Sequence, residues 1–265
     1  MVLPRPHVVR RGAGTPLLFL HGNGVDHRVL LELDDVFASG DWERIYLDLP
    51  GFGSTTRLDA PGGLPEIAEW LDQAVTELIG SARFAIVGNS LGGLLARELA
   101  ARRGNQVLGM ALLAPVVDPV PAHRTLPDHV VLELDAALLE TLDAADRGLY
   151  TELAVIQSQE NWQRFQRAAL PGLRAADLRA MARLGQRYFL TEPPEDRLMG
   201  FERPVLIVAG KQDAVVGFED QRALAVQFPR ATVAELDAAG HNVHLDQPGV
   251  VHALLAAWAE RLKRG

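Results

Sequence analysis

Short apolar runs alternate along this chain with longer stretches whose apolar positions recur at helical spacing. The runs fall at 7–10, 17–20, 45–49, 84–88, 107–114, 204–210 and 231–236. Most lack the polar alternation of a strand with one wet face. Unbroken apolar runs of this length belong to strands buried on both sides. Between them, residues 28–38, 64–79, 91–103, 218–228 and 249–263 read as helices. In the second of these, Ile67, Leu71, Val75 and Leu78 share one face. The alternation predicts an α/β fold: a mostly parallel, doubly wound sheet with helices on both faces.

Between Pro115 and Arg203 the rhythm stops. Stretches 130–146, 148–169 and 174–189 have helical character, and no strong strand pattern intervenes. A structureless loop of that length is uncommon in a compact domain. The expected organisation is a core built from 1–115 and 204–265, with a helical cap inserted at 116–203. The aromatic residues of the insertion, among them Tyr150, Trp162, Phe165, Tyr188 and Phe189, are read as its internal packing.

Composition narrows the possible chemistry. The 265 residues are 48% hydrophobic, enough for one large core. A net charge of −8 argues against a general nucleic-acid or anionic-membrane partner and leaves a small-molecule substrate as the expected one. With no cysteine there is no disulfide, no thiolate nucleophile and no Cys-based metal site, which fits a cytoplasmic location. Neither a secretory leader nor a membrane-spanning helix is expected.

One stretch organises the chemistry: Gly88-Asn89-Ser90-Leu91-Gly92-Gly93, between an apolar run and a good helix former. Strand, tight Gly-Ser-Gly turn and helix is the context of a nucleophile elbow, which lifts a serine hydroxyl above the sheet edge. The amide of Leu91 opens the helix, where N–H groups lack intrahelical partners, and can face a developing oxyanion. A serine hydroxyl needs a base, and a histidine base needs an orienting acid. Asp213 follows run 204–210 and His241 follows run 231–236, so both reach the sheet edge where Ser90 stands, in the order Ser, Asp, His. Asp118, just past run 107–114, is the rival acid. The His241/His244 spacing is a weak metal signal, and no metal site is expected; His244 is read as packing or support. Asn89 either bonds within the pocket or satisfies nearby backbone. Arg97 and Glu98 read as a solvated helix face.

Those motifs, with His21-Gly22-Asn23-Gly24, Asp48-Leu49-Pro50-Gly51-Phe52-Gly53, Gly210-Lys211-Gln212-Asp213 and Gly240-His241, resemble the α/β-hydrolase superfamily nearly end to end. The resemblance implies Ser90, Asp213 and His241 as catalytic residues and no cofactor. It implies the amide of Asn23 as the second oxyanion donor beside Leu91, with His21 bracing that loop. It places the elbow on a fifth strand and a helical cap after a sixth. Hydrolysis of a small, moderately hydrophobic carboxylic ester is the activity that assumes least. The alternatives are a carbon–carbon bond hydrolase of the meta-cleavage type, a cofactor-free haloperoxidase-like enzyme, and a ligand receptor that keeps the fold. Asn242, where carbon–carbon hydrolases commonly carry an aromatic residue, departs from the first of these.

Overall fold

The computed structural model describes residues 3–264; Met1, Val2 and Gly265, part of the expected core segments, lie outside the described residues. The chain runs through β1 (Val8–Arg11), β2 (Thr15–Leu20), α1 (Arg28–Leu31), α2 (Asp34–Phe37), β3 (Trp42–Leu47), α3 (Leu64–Ile79), β4 (Phe84–Asn89), α4 (Leu91–Arg103) and β5 (Val107–Leu113). Next come β6 (Glu133–Leu134), α5 (Ala136–Thr141), α6 (Ala144–Thr151), β7 (Ile156–Gln157), α7 (Gln159–Ala168), α8 (Leu170–Ala175) and α9 (Leu178–Gln186). It closes with β8 (Val205–Gly210), α10 (Glu219–Ala225), β9 (Ala231–Leu236), α11 (Val243–Asp246) and α12 (Pro248–Lys263). No helix among the described residues is long and apolar enough to cross a membrane.

Seven strands form one sheet in the order β1-β3-β2-β4-β5-β8-β9. β1 pairs antiparallel with β3, and every other pairing is parallel, as the apolar runs predict. β4 and β8 are buried at every residue. From β2 the chain moves one way to β3, then returns past β2 to β4. The switch point, where open α/β sheets leave a crevice, therefore lies between β2 and β4. Register puts Leu20 opposite Gly88, so the loop after β2 and the turn after β4 leave the sheet side by side.

The elbow follows the fourth strand in chain order and not a fifth, and segment 116–203 follows the fifth, because the chain has one strand fewer ahead of the elbow than the resemblance implies. The helix expected over 28–38 is two short ones. The Asp34 carboxylate accepts hydrogen bonds from Arg44 Nε and Tyr46 Oη, both at 2.8 Å, and draws the second turn down onto β3. Residues 116–203 add no strand to the large sheet, and β6 and β7 make a separate two-stranded parallel ribbon. Five short helices replace the three expected there. Side chains that imitate backbone acceptors interrupt them: Asp135, Asp143, Ser158 and Asp177 each cap the helix that follows.

The reading of Arg97 and Glu98 as a solvated face is overturned. Leu91 through Ala100 are all buried, because α4 is covered by the sheet on one side and by the 3-10 turn Pro194–Arg197 on another. Arg97 Nε pairs with Glu195 at 2.7 Å, and its Nη1 donates to Val116 O at 3.0 Å. Glu98 takes Arg102 at 2.7 Å and also Arg197. Once buried, a charge must be paired, and these pairs join α4 to the end of segment 116–203. Removing one partner strands the other. Glu195→Ala is expected to cost about 3 kcal/mol or more in urea unfolding. Combined with Arg97→Ala it should cost clearly less than the sum of the two single changes.

Candidate active site

Ser90 sits at φ 52° and ψ −116°, a conformation that costs a side-chain-bearing residue of order 1–3 kcal/mol. The turn holds it there. Ser90 N donates to Leu113 O at 3.0 Å, and Ser90 O accepts from Gly93 N at 2.9 Å and Val116 N at 3.0 Å. Two glycines are required by close approach. A Cβ on Gly88 would lie 2.4 Å from Gly92 O, and one on Gly92 would lie 2.0 Å from Leu20 O. The strained serine therefore stands against the end of β2.

His241 Nε2 lies 2.9 Å from Ser90 Oγ, and His241 Nδ1 lies 3.0 Å from Asp213 Oδ2. One tautomer satisfies both contacts: Nδ1–H donates to the carboxylate, and Nε2 accepts from the hydroxyl. Asp213 is fully buried, and its Oδ1 accepts from Val215 N at 2.9 Å and Val216 N at 3.0 Å. The acid is thus fixed by backbone donors on one oxygen and by His241 on the other. Asp118 is elsewhere. It accepts from His123 Nδ1 at 3.1 Å and from Val120 N at 2.7 Å, near the surface.

Asn23, Ser90 and His241 line one cavity of about 370 Å³. Gly22 is so near the serine that a Cβ there would meet Ser90 Cβ at 3.1 Å. Leu91 opens α4, and the N–H groups of Asn23 and Leu91 take no part in the turn and loop hydrogen bonds among the described residues. His21 Nδ1–H donates to Gly22 O at 2.7 Å while its Nε2 accepts from Leu49 N at 2.9 Å. Burial lowers its pKa, so the ring stays neutral and can do both. Asn89 turns to the backbone, donating to Leu113 O at 3.0 Å.

Three groups carry no site role in the sequence, where Asp48 is part of a family motif and Tyr188 reads as internal packing. Asp246, five residues past His241, accepts from Gly240 N at 2.8 Å and from Asn161 Nδ2 of α7 at 2.7 Å. Burial raises its pKa to about 6 against the pull of those donors. Asp48 accepts from His7 Nδ1, His27 Nδ1, His27 N and Ser54 N at 2.8 to 3.0 Å. Burial opposes its charge, but the His27 and Ser54 donors outweigh it and hold the carboxyl below the usual range. His7, His27 and Asp48 are metal-ligand types in one place. The carboxylate is already saturated by four donors, which knot the segment before β1 to the loops after β2 and β3. The third group comes from segment 116–203, where Arg124, Leu153 and Tyr188 line the cavity. The Asp48 motif was visible in the sequence. Arg124 lies in an irregular stretch with no periodic signal.

His244 is buried, and its Nε2–H donates to Val29 O at 2.9 Å, a packing role. Burial lowers its pKa from 6.5 to about 4. Below pH 6.5 the unfolded chain therefore binds a proton that the folded chain refuses. Stability should fall as pH drops from 6.5 toward 4, by roughly 3 kcal/mol from this group. Asp246 acts in the opposite sense, its contribution being lost as pH rises through about 6. Urea unfolding at several pH values should show a shallower acid slope in His244→Gln than in the parent. A second measurement reads the strain at the elbow. Ser90→Gly should unfold at higher urea than Ser90→Ala, by about 1 kcal/mol, because glycine alone relieves the positive φ.

Residues 17–254 match the family model described as "Alpha/beta hydrolase family". The dihydrolipoyllysine-residue acetyltransferase component of the acetoin cleaving system from Cupriavidus necator is 30% identical over 95% of this chain, which spans only 65% of that protein's length. The (E)-2-((N-methylformamido)methylene)succinate hydrolase of Acinetobacter baylyi is 26% identical over 96% of this chain and 94% of its own. The crystal structure of an alpha/beta superfamily hydrolase from Oenococcus oeni PSU-1 superposes with a TM-score of 0.90 at 27% identity, covering 99% of this chain and 98% of that one. With its parallel sheet, its elbow and a family match over nearly its whole length, the chain belongs to the α/β-hydrolase family.

Proposed function

We propose that this protein is a serine hydrolase that cleaves an acyl bond, foremost a carboxylic ester, of a small and moderately hydrophobic molecule. The observation that carries the reading is the unbroken contact chain from Ser90 Oγ through His241 to Asp213, with distances of 2.9 Å and 3.0 Å. His241 Nε2 takes the Ser90 proton as Oγ attacks the acyl carbon. Asp213 holds the tautomer and stabilises the imidazolium. The amides of Asn23 and Leu91 receive the oxyanion, each such donor contributing about 2.7–4 kcal/mol. His241 then protonates the leaving alcohol. Water, deprotonated by the same nitrogen, releases the acid from the acyl-enzyme. Segment 116–203 serves as the cap, a reading supported by Leu153, Arg124 and Tyr188, which line the cavity that Ser90 also lines.

The cavity's Val116, Leu153, Val215 and Val216 support the hydrophobic part of the reading. A fluorophosphonate probe should add one adduct to the wild type, read by intact mass, and none to Ser90→Ala. The same substitution should lower kcat/KM on a p-nitrophenyl ester by roughly 10³-fold or more. No adduct on the wild type, or equal labelling of both proteins, overturns the proposal. Turnover of a vinylogous diketone but of no ester in a panel would move the activity to carbon–carbon hydrolysis.

A further inference from the structure

Arg124 stands out among the groups that line the cavity. No other lysine or arginine lines it among the described residues, and no aspartate or glutamate does. All three of its hydrogen bonds go to backbone carbonyls: Nε to Asp118 O at 2.9 Å, Nη1 to Val215 O at 3.0 Å and Nη2 to Pro119 O at 3.2 Å. The two buried guanidiniums are treated differently. Arg97 and Arg44 each meet a carboxylate, Glu195 at 2.7 Å and Asp34 at 2.8 Å. Carbonyl dipoles orient a cation but do not neutralise it, and Arg124 makes no salt bridge among the described residues, so it brings its positive charge to the cavity wall.

Its donors are also incompletely used. A guanidinium has five N–H groups, and one on each Nη remains after the three carbonyl bonds. N–H groups left on both Nη atoms can receive the oxygens of a carboxylate. The three carbonyls pin the guanidinium before any ligand arrives, so little side-chain entropy is lost on binding. Tyr188 supports the same end of the cavity. Burial pushes its phenol up to about 12, with the nearby Arg124 charge pulling the other way, so the hydroxyl stays protonated and able to donate. Val215, whose carbonyl holds Nη1, is two residues from Asp213 and shares the turn that carries the acid.

We propose that Arg124 is a specificity-determining residue, and that the cavity takes a substrate carrying a free carboxylate besides the acyl bond that Ser90 attacks. The inference rests on the reading of Ser90 as nucleophile. It narrows the substrate to monoesters, or similar monoacyl derivatives, of small dicarboxylic acids. The apolar wall then carries the chain between the two ends.

The test uses the full-length Ser90→Ala protein, which binds without turnover, and the monomethyl esters of malonic to adipic acid against their dimethyl counterparts. With Kd from NMR titration at 0.15 M salt, at least one monoester should bind tenfold or more tighter than its diester. Arg124→Met in the same background should abolish that preference, and Arg124→Lys should keep part of it, since the charge survives without the two Nη donors. The inference is overturned if no monoester outbinds its diester in Ser90→Ala alone, a result that needs no Arg124 variant to fold. It is equally overturned if the preference survives Arg124→Met. Failure of the nucleophile reading shows separately, as a wild type that fluorophosphonate does not label while the monoester preference persists.

Discussion

The close approach of α4 to the end of β2 is the constraint on which the site depends. With only hydrogen on Gly92, the first turn of the helix rests against the Leu20 carbonyl. That contact brings the His21–Gly24 loop beside Ser90 and puts Gly22 against the serine Cβ. The parallel register does the remaining work. β4, β8 and β9 end on one edge, so the residues just beyond them meet although Ser90 and His241 are 151 positions apart in the chain. The strain at Ser90 follows from the same geometry, and it is held in place by backbone bonds to Leu113, Gly93 and Val116.

Buried polar groups then couple segment 116–203 to this edge. Arg97 and Glu98 reach Glu195 and Arg197 on one side. On the other, Asn161 and Arg164 of α7 bond to Asp246 and to the Leu245 carbonyl, and Asp246 also holds the amide next to His241. A movement of α7 is therefore felt at the proposed base through two hydrogen bonds. Arg97, Glu98 and Asn161 are buried, so their contacts are costly to break from one end only. The arrangement favours a segment fixed in position over one that swings freely.

Much of this was legible in the chain itself, for reasons that can be named. The runs at 84–88 and 204–210 are apolar throughout because both faces of their strands are covered, and the structure places strands over both. The glycines around Ser90 are a local demand of a local turn. α3 begins and ends where its periodicity says it should. Less was legible where residue type is ambiguous. Arg97 and Glu98 have the composition of an exposed face, and their burial follows only from what packs over α4. The helices of 116–203 are cut by capping Asp and Ser side chains that also occur freely in loops. The antiparallel partner of β1 could not be read from a short run at 7–10.

The sequence by itself determined the fold class, the elbow and the identities of Ser90, Asp213 and His241 as the residues to bring together. Those depend on local backbone chemistry and on the order of buried strands, which are properties of the chain. Tertiary structure alone excluded Asp118, which bonds to His123 away from His241, set Asp246 and Asp48 to brace the loops, and put Arg124 on the cavity wall without a salt bridge among the described residues. Each of those is a matter of which side chains share a small volume cut off from water. Nothing in the spacing along a chain reports that volume until the sheet and the segment above it have closed around it.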